Sequence, residues 1–280
     1  MKKAQWITAL SGVLLVIALY LFGKTSVPKS QNILPSTTAS QNDITNDTIL
    51  KHAKEALEPE QITWMNTLEQ SVIRGNVKMQ KLDVYHQLAH FWKDTVHIFE
   101  PYALYEAEAA RLENSEKSLS FAAHLFLENL RNEQSSRLKK WKALQAKDLF
   151  ERSLRLNDSN DSTLVGLGAC YIFGNIAENP MEGILKVRQV IDKDSTNVFA
   201  QMTLGYGSLI SEQYDKAIDR FGKVVNLHPD NLEAILMLAE VYERKADKTN
   251  AIKWYSYALP FAKNGELKKA LESRIVELKK

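Results

Sequence analysis

Residues 198–231 read VFAQMTLGYGSLISEQYDKAIDRFGKVVNLHPDN, a stretch whose small and large residues alternate at offsets suited to two short antiparallel helices. Leu204-Gly205 is followed twelve residues after the glycine by Ala217, four further on by Phe221, and eight beyond that by Pro229. Where helices cross, a small residue lets the backbones approach and a large neighbour fills the space beside the contact. Gly205 and Ala217 are placed for the first role, Leu204 and Phe221 for the second.

This pattern resembles the tetratricopeptide repeat (TPR), a helix-turn-helix unit of about 34 residues with L-G, A, F and P at these offsets. Its register extends in both directions. Residues 232–265 carry Ile235, Leu238, Ala239, Tyr242, Ala251, Tyr255 and Ala258 in place, with Pro260 early enough to shorten or kink the last helix. Residues 161–197 carry Leu164, Leu167, Gly168 and Tyr171, then extra residues between Gly174 and Pro180, then Gly183, Val187 and Val190. A more degenerate copy occupies 116–160, with Leu119, Ala122, Ala123 and Phe126, then Ala146, Phe150 and Ser153. Its two halves are separated by an insertion, Arg131 to Trp141, that reads as an extended second helix. Residues 266–280 form one amphipathic helix with Leu267, Leu271, Arg274 and Leu278 inward, the polar-backed cap that a solenoid needs. The resemblance implies a right-handed α-solenoid of helical hairpins.

Residues 44–115 are helical without that signature. Asn46-Asp47-Thr48 offers caps for a first helix to about Leu57, and Pro59 opens a second that Gly75-Asn76 closes. A long helix is predicted from Val77 to about Phe99, with Leu82, Tyr85, Leu88, Ala89, Trp92, Val96 and Phe99 on one face. Another begins at Pro101 and runs to about Glu113. Strand-period patterning is absent, so the predicted class is all-α.

Before this region, Ala4 to Gly23 contains no charged residue and is flanked by Lys2-Lys3 and Lys24. At 1.5 Å per residue it is about 30 Å long, the thickness of a bilayer's hydrocarbon core. No A-x-A cleavage site follows, so residues 1–23 are predicted to be an uncleaved single-pass anchor rather than a signal peptide. The lack of a nearby cysteine argues against a lipoprotein. Residues 24–43, rich in Ser, Thr, Gln, Asn and Pro, read as a flexible tether. In a bacterial cell, an anchor with so short a leader places the C-terminal domain in the periplasm, attached to the inner membrane.

The formal net charge of +2 gives no electrostatic case for nucleic acid. The single cysteine, Cys170, excludes an intramolecular disulfide and a cysteine-cluster metal site, and it reads as a small buried hydrophobe. No nucleophile elbow, phosphate-cradling glycine loop or Cys-His pair is present, so the chain is expected to be non-enzymatic, without cofactor, metal or small-molecule substrate. One constellation offers an alternative. His86, His90 and His97 fall within about 40° of one another on an ideal helix, although H-Q-L-A-H lacks the glutamate that a zinc hydrolase uses as general base.

The TPR resemblance implies a different kind of site. In that family one face of each first helix lines a concave peptide-binding groove. Here the matching positions include Val165, Ile172, Phe173, Phe199, Met202, Tyr206, Leu209, Leu236 and Glu240. TPR domains that clamp acidic chaperone tails use Lys, Asn and Arg where this chain has Val165, Ala169, Met202, Tyr206, Leu236 and Glu240, so no such clamp is expected. An apolar groove flanked by acid suits an apolar or amphipathic protein segment. The expected function is a membrane-tethered adaptor. The alternatives are a holdase-like periplasmic chaperone using the same groove, or a metal-dependent enzyme built on the histidines.

Overall fold

The computed structural model describes residues 44–74, 77–176 and 180–280; the expected anchor (1–23) and tether (24–43) lie outside them. Described residues 44–280 belong to one unit whose regular elements are all helical. Helix α1 spans Asn46–Lys54, α2 Pro59–Arg74, α3 Lys78–His90 and α4 Phe99–Glu113. Helices α5 (Glu116–Leu130) and α6 (Ser136–Leu156) form the next hairpin, and α7 (Asp161–Phe173) pairs with α8 (Met181–Lys193). Then α9 (Val198–Ile210) pairs with α10 (Tyr214–Leu227), and α11 (Leu232–Arg244) with α12 (Lys248–Ala258). Helix α13, Gly265–Leu278, packs on α12.

The hairpins repeat at the level of single residues. Asparagines 160, 197 and 231 cap α7, α9 and α11, each side-chain oxygen accepting from the backbone N–H of Thr163, Ala200 or Ala234 at 3.0, 2.9 and 2.9 Å. Such caps satisfy an otherwise orphaned amide and contribute about 1 kcal/mol each. The turn after each first helix passes through one left-handed residue: Asn175 (φ 51°), Glu212 (φ 57°) and Ala246 (φ 59°). Leu259, Pro260 and Phe261 form a 3₁₀ turn that ends α12, because proline has no N–H for the helical ladder.

What sets the distance between paired helices is a set of close small-residue contacts. A Cβ on Gly205 would lie 2.5 Å from the Phe221 ring, so the bare backbone of α9 makes room for an aromatic ring rather than simply for another backbone. In the preceding hairpin, a Cβ on Gly168 would meet the Gly183 carbonyl oxygen at 2.7 Å, a true backbone-to-backbone approach. Between hairpins, the Phe150 ring fills the space beside Gly166, where a Cβ would come within 2.4 Å.

Residues 44–115 share the core of the repeats. Ile49, Ala103, Leu104, Ala107 and Ala110 pack with Leu119, Phe126, Trp141 and Phe150. Polar links reinforce the seam. Asn46 Oδ1 accepts from Trp141 Nε1 at 2.9 Å and Gln145 Nε2 at 3.0 Å. The buried Lys142 ammonium donates to Asn129 (2.6 Å) and Glu133 (2.5 Å) and pairs with Glu100 (2.8 Å).

The helix predicted from Val77 to Phe99 is broken. After His90 the chain enters a π-helical turn, Phe91–Val96, that ends at left-handed His97. Trp92 is fully buried there and its indole N–H has no partner among the described residues. At the other end, Ile275 joins Leu271 and Leu278 in burial, whereas Arg274 reaches outward to Glu243.

Two glycine substitutions should differ in sign. Gly205→Ala should destabilise by about 1–3 kcal/mol through overpacking against Phe221. Gly222→Ala, in α10 with nothing within 4 Å of the added carbon, should stabilise by about 0.5–1 kcal/mol. Chemical denaturation of both variants checks this.

Candidate functional site

Stacking hairpins sets their first helices side by side: α5 against α7, and α7 against α9. This face carries most of the residues expected to form the groove. Phe173, Phe199, Tyr206, Leu236 and Glu240 are partly exposed. Phe173 and Tyr206 meet edge to face with centroids 6.3 Å apart, and Phe199 lies 5.8 Å from the His124 ring. His124 also sits edge-on to Phe150 at 5.0 Å. Burial lowers the His124 pKa, against the opposing pull of Glu128.

Four expected groove residues lie elsewhere. Val165 is fully buried with Val187, Val190, Ala200 and Leu204, and Met202 and Leu209 are buried in the core around Phe221. Those helix positions face the adjoining helices, which cover them. Ile172 turns toward a cavity shared with α8 and α10.

The centre of the face is crossed by a bridge. Arg131, just past the end of α5, donates from Nη2 to Glu233 Oε1 of α11 at 2.7 Å, 102 positions away. Its guanidinium lies 3.9 Å from the centroid of the Tyr206 ring, and the Tyr206 hydroxyl donates to the same Glu233 oxygen at 2.6 Å. A contact between the first and last of four stacked hairpins requires their first-helix face to curve inward. Burial alone would raise the Glu233 carboxyl pKa, but Tyr206 and Arg131 outweigh it and hold it below the ordinary range. Burial, followed by the bond to Glu233, pushes the Tyr206 phenol upward. Arg131 was not expected here, because it falls in the insertion where the repeat pattern assigns no face. Farther along, Glu240 accepts from Arg244 at 2.6 Å. Glu243 holds Arg274 and accepts from the Tyr255 hydroxyl at 3.0 Å, fastening α13 to α11.

The histidines do not form a centre. His86 Nδ1 lies 3.6 Å from Glu106, His90 Nδ1 lies 3.0 Å from Asp94, and His97 Nδ1 lies 2.8 Å from the Lys93 carbonyl. The π turn breaks the helical phase that would have aligned His97 with the others. Among the described residues, no group of three His, Cys, Asp or Glu side chains could hold a metal. No helix among them is long and apolar enough to cross a membrane. Cys170 is buried, and desolvation pushes its thiol pKa up, away from reactivity.

No family profile matches the chain. Over 133 residues it is 28% identical to the uncharacterised protein ycf37 of Cyanophora paradoxa, covering 47% of this chain and 74% of that protein. Among solved structures it resembles YrrB, described as a TPR protein with an unusual peptide-binding site, at 16% identity and TM-score 0.42 over 74% of this chain and 97% of that one. It also resembles MamA of Desulfovibrio magneticus RS-1, at 19% identity and TM-score 0.43 over 64% of this chain and 94% of that one. The stacked helical hairpins are defined by the chain's own repeating caps, turns and contacts.

The bridge is testable as a network. Arg131→Gln and Glu233→Gln should each destabilise, with a coupling energy of about 0.5–1 kcal/mol in a double-mutant cycle, because the groups are half exposed and screened. Since folding lowers the Glu233 pKa, its contribution is present above the unfolded carboxyl value of about 4.3 and disappears as pH falls through the lower folded value. Denaturation midpoints of wild type and Glu233→Gln should therefore converge on acidification.

Proposed function

We propose that this protein is a non-enzymatic adaptor that holds a protein partner against the curved first-helix face and is tethered by residues 1–23 to the inner membrane, with the repeats in the periplasm. The observation that carries the reading is the row Phe199, Phe173, Tyr206 and Leu236, partly exposed apolar surface on an inward-curving face. Stacked rigid helices can present such a row without reorganising, which limits the entropy lost on binding. An amphipathic helix or extended apolar segment suits it, because aromatic edges offer large contact area and the flanking Glu240 and Arg244 offer a polar rim. Confinement to a membrane raises the effective concentration of a partner in or near that membrane without adding contacts.

The bridge gives the groove a built-in competitor. Glu233 already occupies the Arg131 guanidinium and the Tyr206 hydroxyl, so an incoming segment either lies beside these groups or replaces the carboxylate with one of its own.

Crosslinking in intact cells, followed by affinity purification, tests the reading. Phe199→Asp with Leu236→Asp should remove the principal crosslinked protein while leaving the helical circular dichroism intact; an unchanged partner set would overturn groove recognition. In spheroplasts, externally added protease should digest the repeats, and protection until lysis would contradict a periplasmic location.

A further inference from the structure

Off the first-helix face, where α8 meets the α9/α10 hairpin, lies the cavity that Ile172 faces, of about 390 Å³. Three cations line it: Arg188 from α8, and Lys216 and Arg220 from α10. Lys216 and Arg220 are four residues apart and share a face of α10. Ser208 and Ser211, at the end of α9, add two hydroxyls, and Gln213 adds an amide. No carboxylate is among the described lining residues.

These charges are not neutralised within the described residues. Lys216 Nζ donates to the Gln213 amide oxygen at 2.6 Å, and Arg220 Nη1 donates to the Gln201 amide oxygen at 3.0 Å, both uncharged acceptors. Arg188 makes no hydrogen bond or ion pair among the described residues. Asp215 is paired with Lys245 at 2.6 Å, Asp219 with Lys223 at 2.9 Å and Glu182 with Lys186 at 3.6 Å, while Asp192 and Glu212 form no ion pair with the three cations among the described residues. A concave site lined by one sign of charge concentrates the opposite sign.

We infer that this cavity binds a soluble dianionic phosphate group, as a small phosphate monoester or a diphosphate. A monocarboxylate would leave two of the three cations uncompensated. A phosphate group carries about two negative charges at neutral pH. Its oxygens match planar guanidinium forks, with the Ser208 hydroxyl as a further donor, whereas the Ser211 hydroxyl already donates to the Gly207 carbonyl at 2.8 Å. The cavity leaves room beside one phosphate for a second phosphate or an organic portion. The site is independent of the groove, so either can fail without the other.

Arg188 allows a clean test, because its side chain supports no other described residue. The full chain, in neutral detergent and low salt, is titrated with inorganic pyrophosphate by calorimetry, with sodium chloride at matched ionic strength as control. Saturable one-to-one binding is expected, weakened at least about tenfold by Arg188→Glu, as loss of a charge-assisted contact predicts. Pyrophosphate should also raise the melting temperature of wild type but not of Arg188→Glu, while the two proteins have the same helical circular dichroism without ligand. Equal affinity in both proteins, or a wild-type response that sodium chloride reproduces, would overturn the assignment.

Discussion

The ring of Phe221 lying on the bare backbone of Gly205 sets the geometry on which the other contacts depend. A Cβ at 205 would fall 2.5–2.9 Å from three Phe221 ring atoms, so the ring or the helices would have to shift. The Gly168–Gly183 approach and the Phe150 ring beside Gly166 impose equally close spacing within the preceding hairpin and at its junction with the one before. Short spacing inside and between hairpins keeps α5, α7 and α9 in lateral contact. That contact produces a continuous face, and its curvature brings Arg131 to Glu233.

The Arg131–Tyr206–Glu233 bridge ties packing to function. It joins three hairpins through one shared carboxylate oxygen and sits among the aromatic residues best placed to meet a partner. The bridge links the first and last hairpins and, on the proposed reading, also occupies the polar groups a ligand would use. On that reading partner affinity and solenoid shape are coupled, since a segment that displaced Glu233 would relax the contact between the first and last hairpins. The N-terminal helices pack on the first hairpin, through the core shared by Ile49, Leu104, Phe126 and Trp141 and the Lys142 cluster.

Much of the fold was legible because repeat packing uses residues that sequence reveals directly. Gly205, Ala217 and Phe221 announce a hairpin, and Pro260 announces the end of its successor's second helix. The groove was legible only in part. A repeat register says which side of a helix a residue occupies, but not how deeply adjoining helices cover it; hence Val165, Met202 and Leu209 are buried and Ile172 faces another cavity. Arg131 carries no sequence signal because it lies in an insertion and its partner is 102 residues away. The π turn at Phe91–Val96 depends on a hydrogen-bond shift without a residue signature, and it disperses histidines that an ideal helix would align. The cation-lined cavity draws on four helices and a turn, so a near-neutral chain gives no hint of it.

Site-specific photocrosslinking tests the central claim most directly, that the first-helix face is where a partner docks. A photoreactive residue at 173 or 236, introduced singly into the full chain in cells, should yield a discrete adduct with one protein. The same residue at 185, exposed on the second helix of a hairpin, should not. Adducts from position 185 alone, or of equal yield from all three positions, would contradict the account.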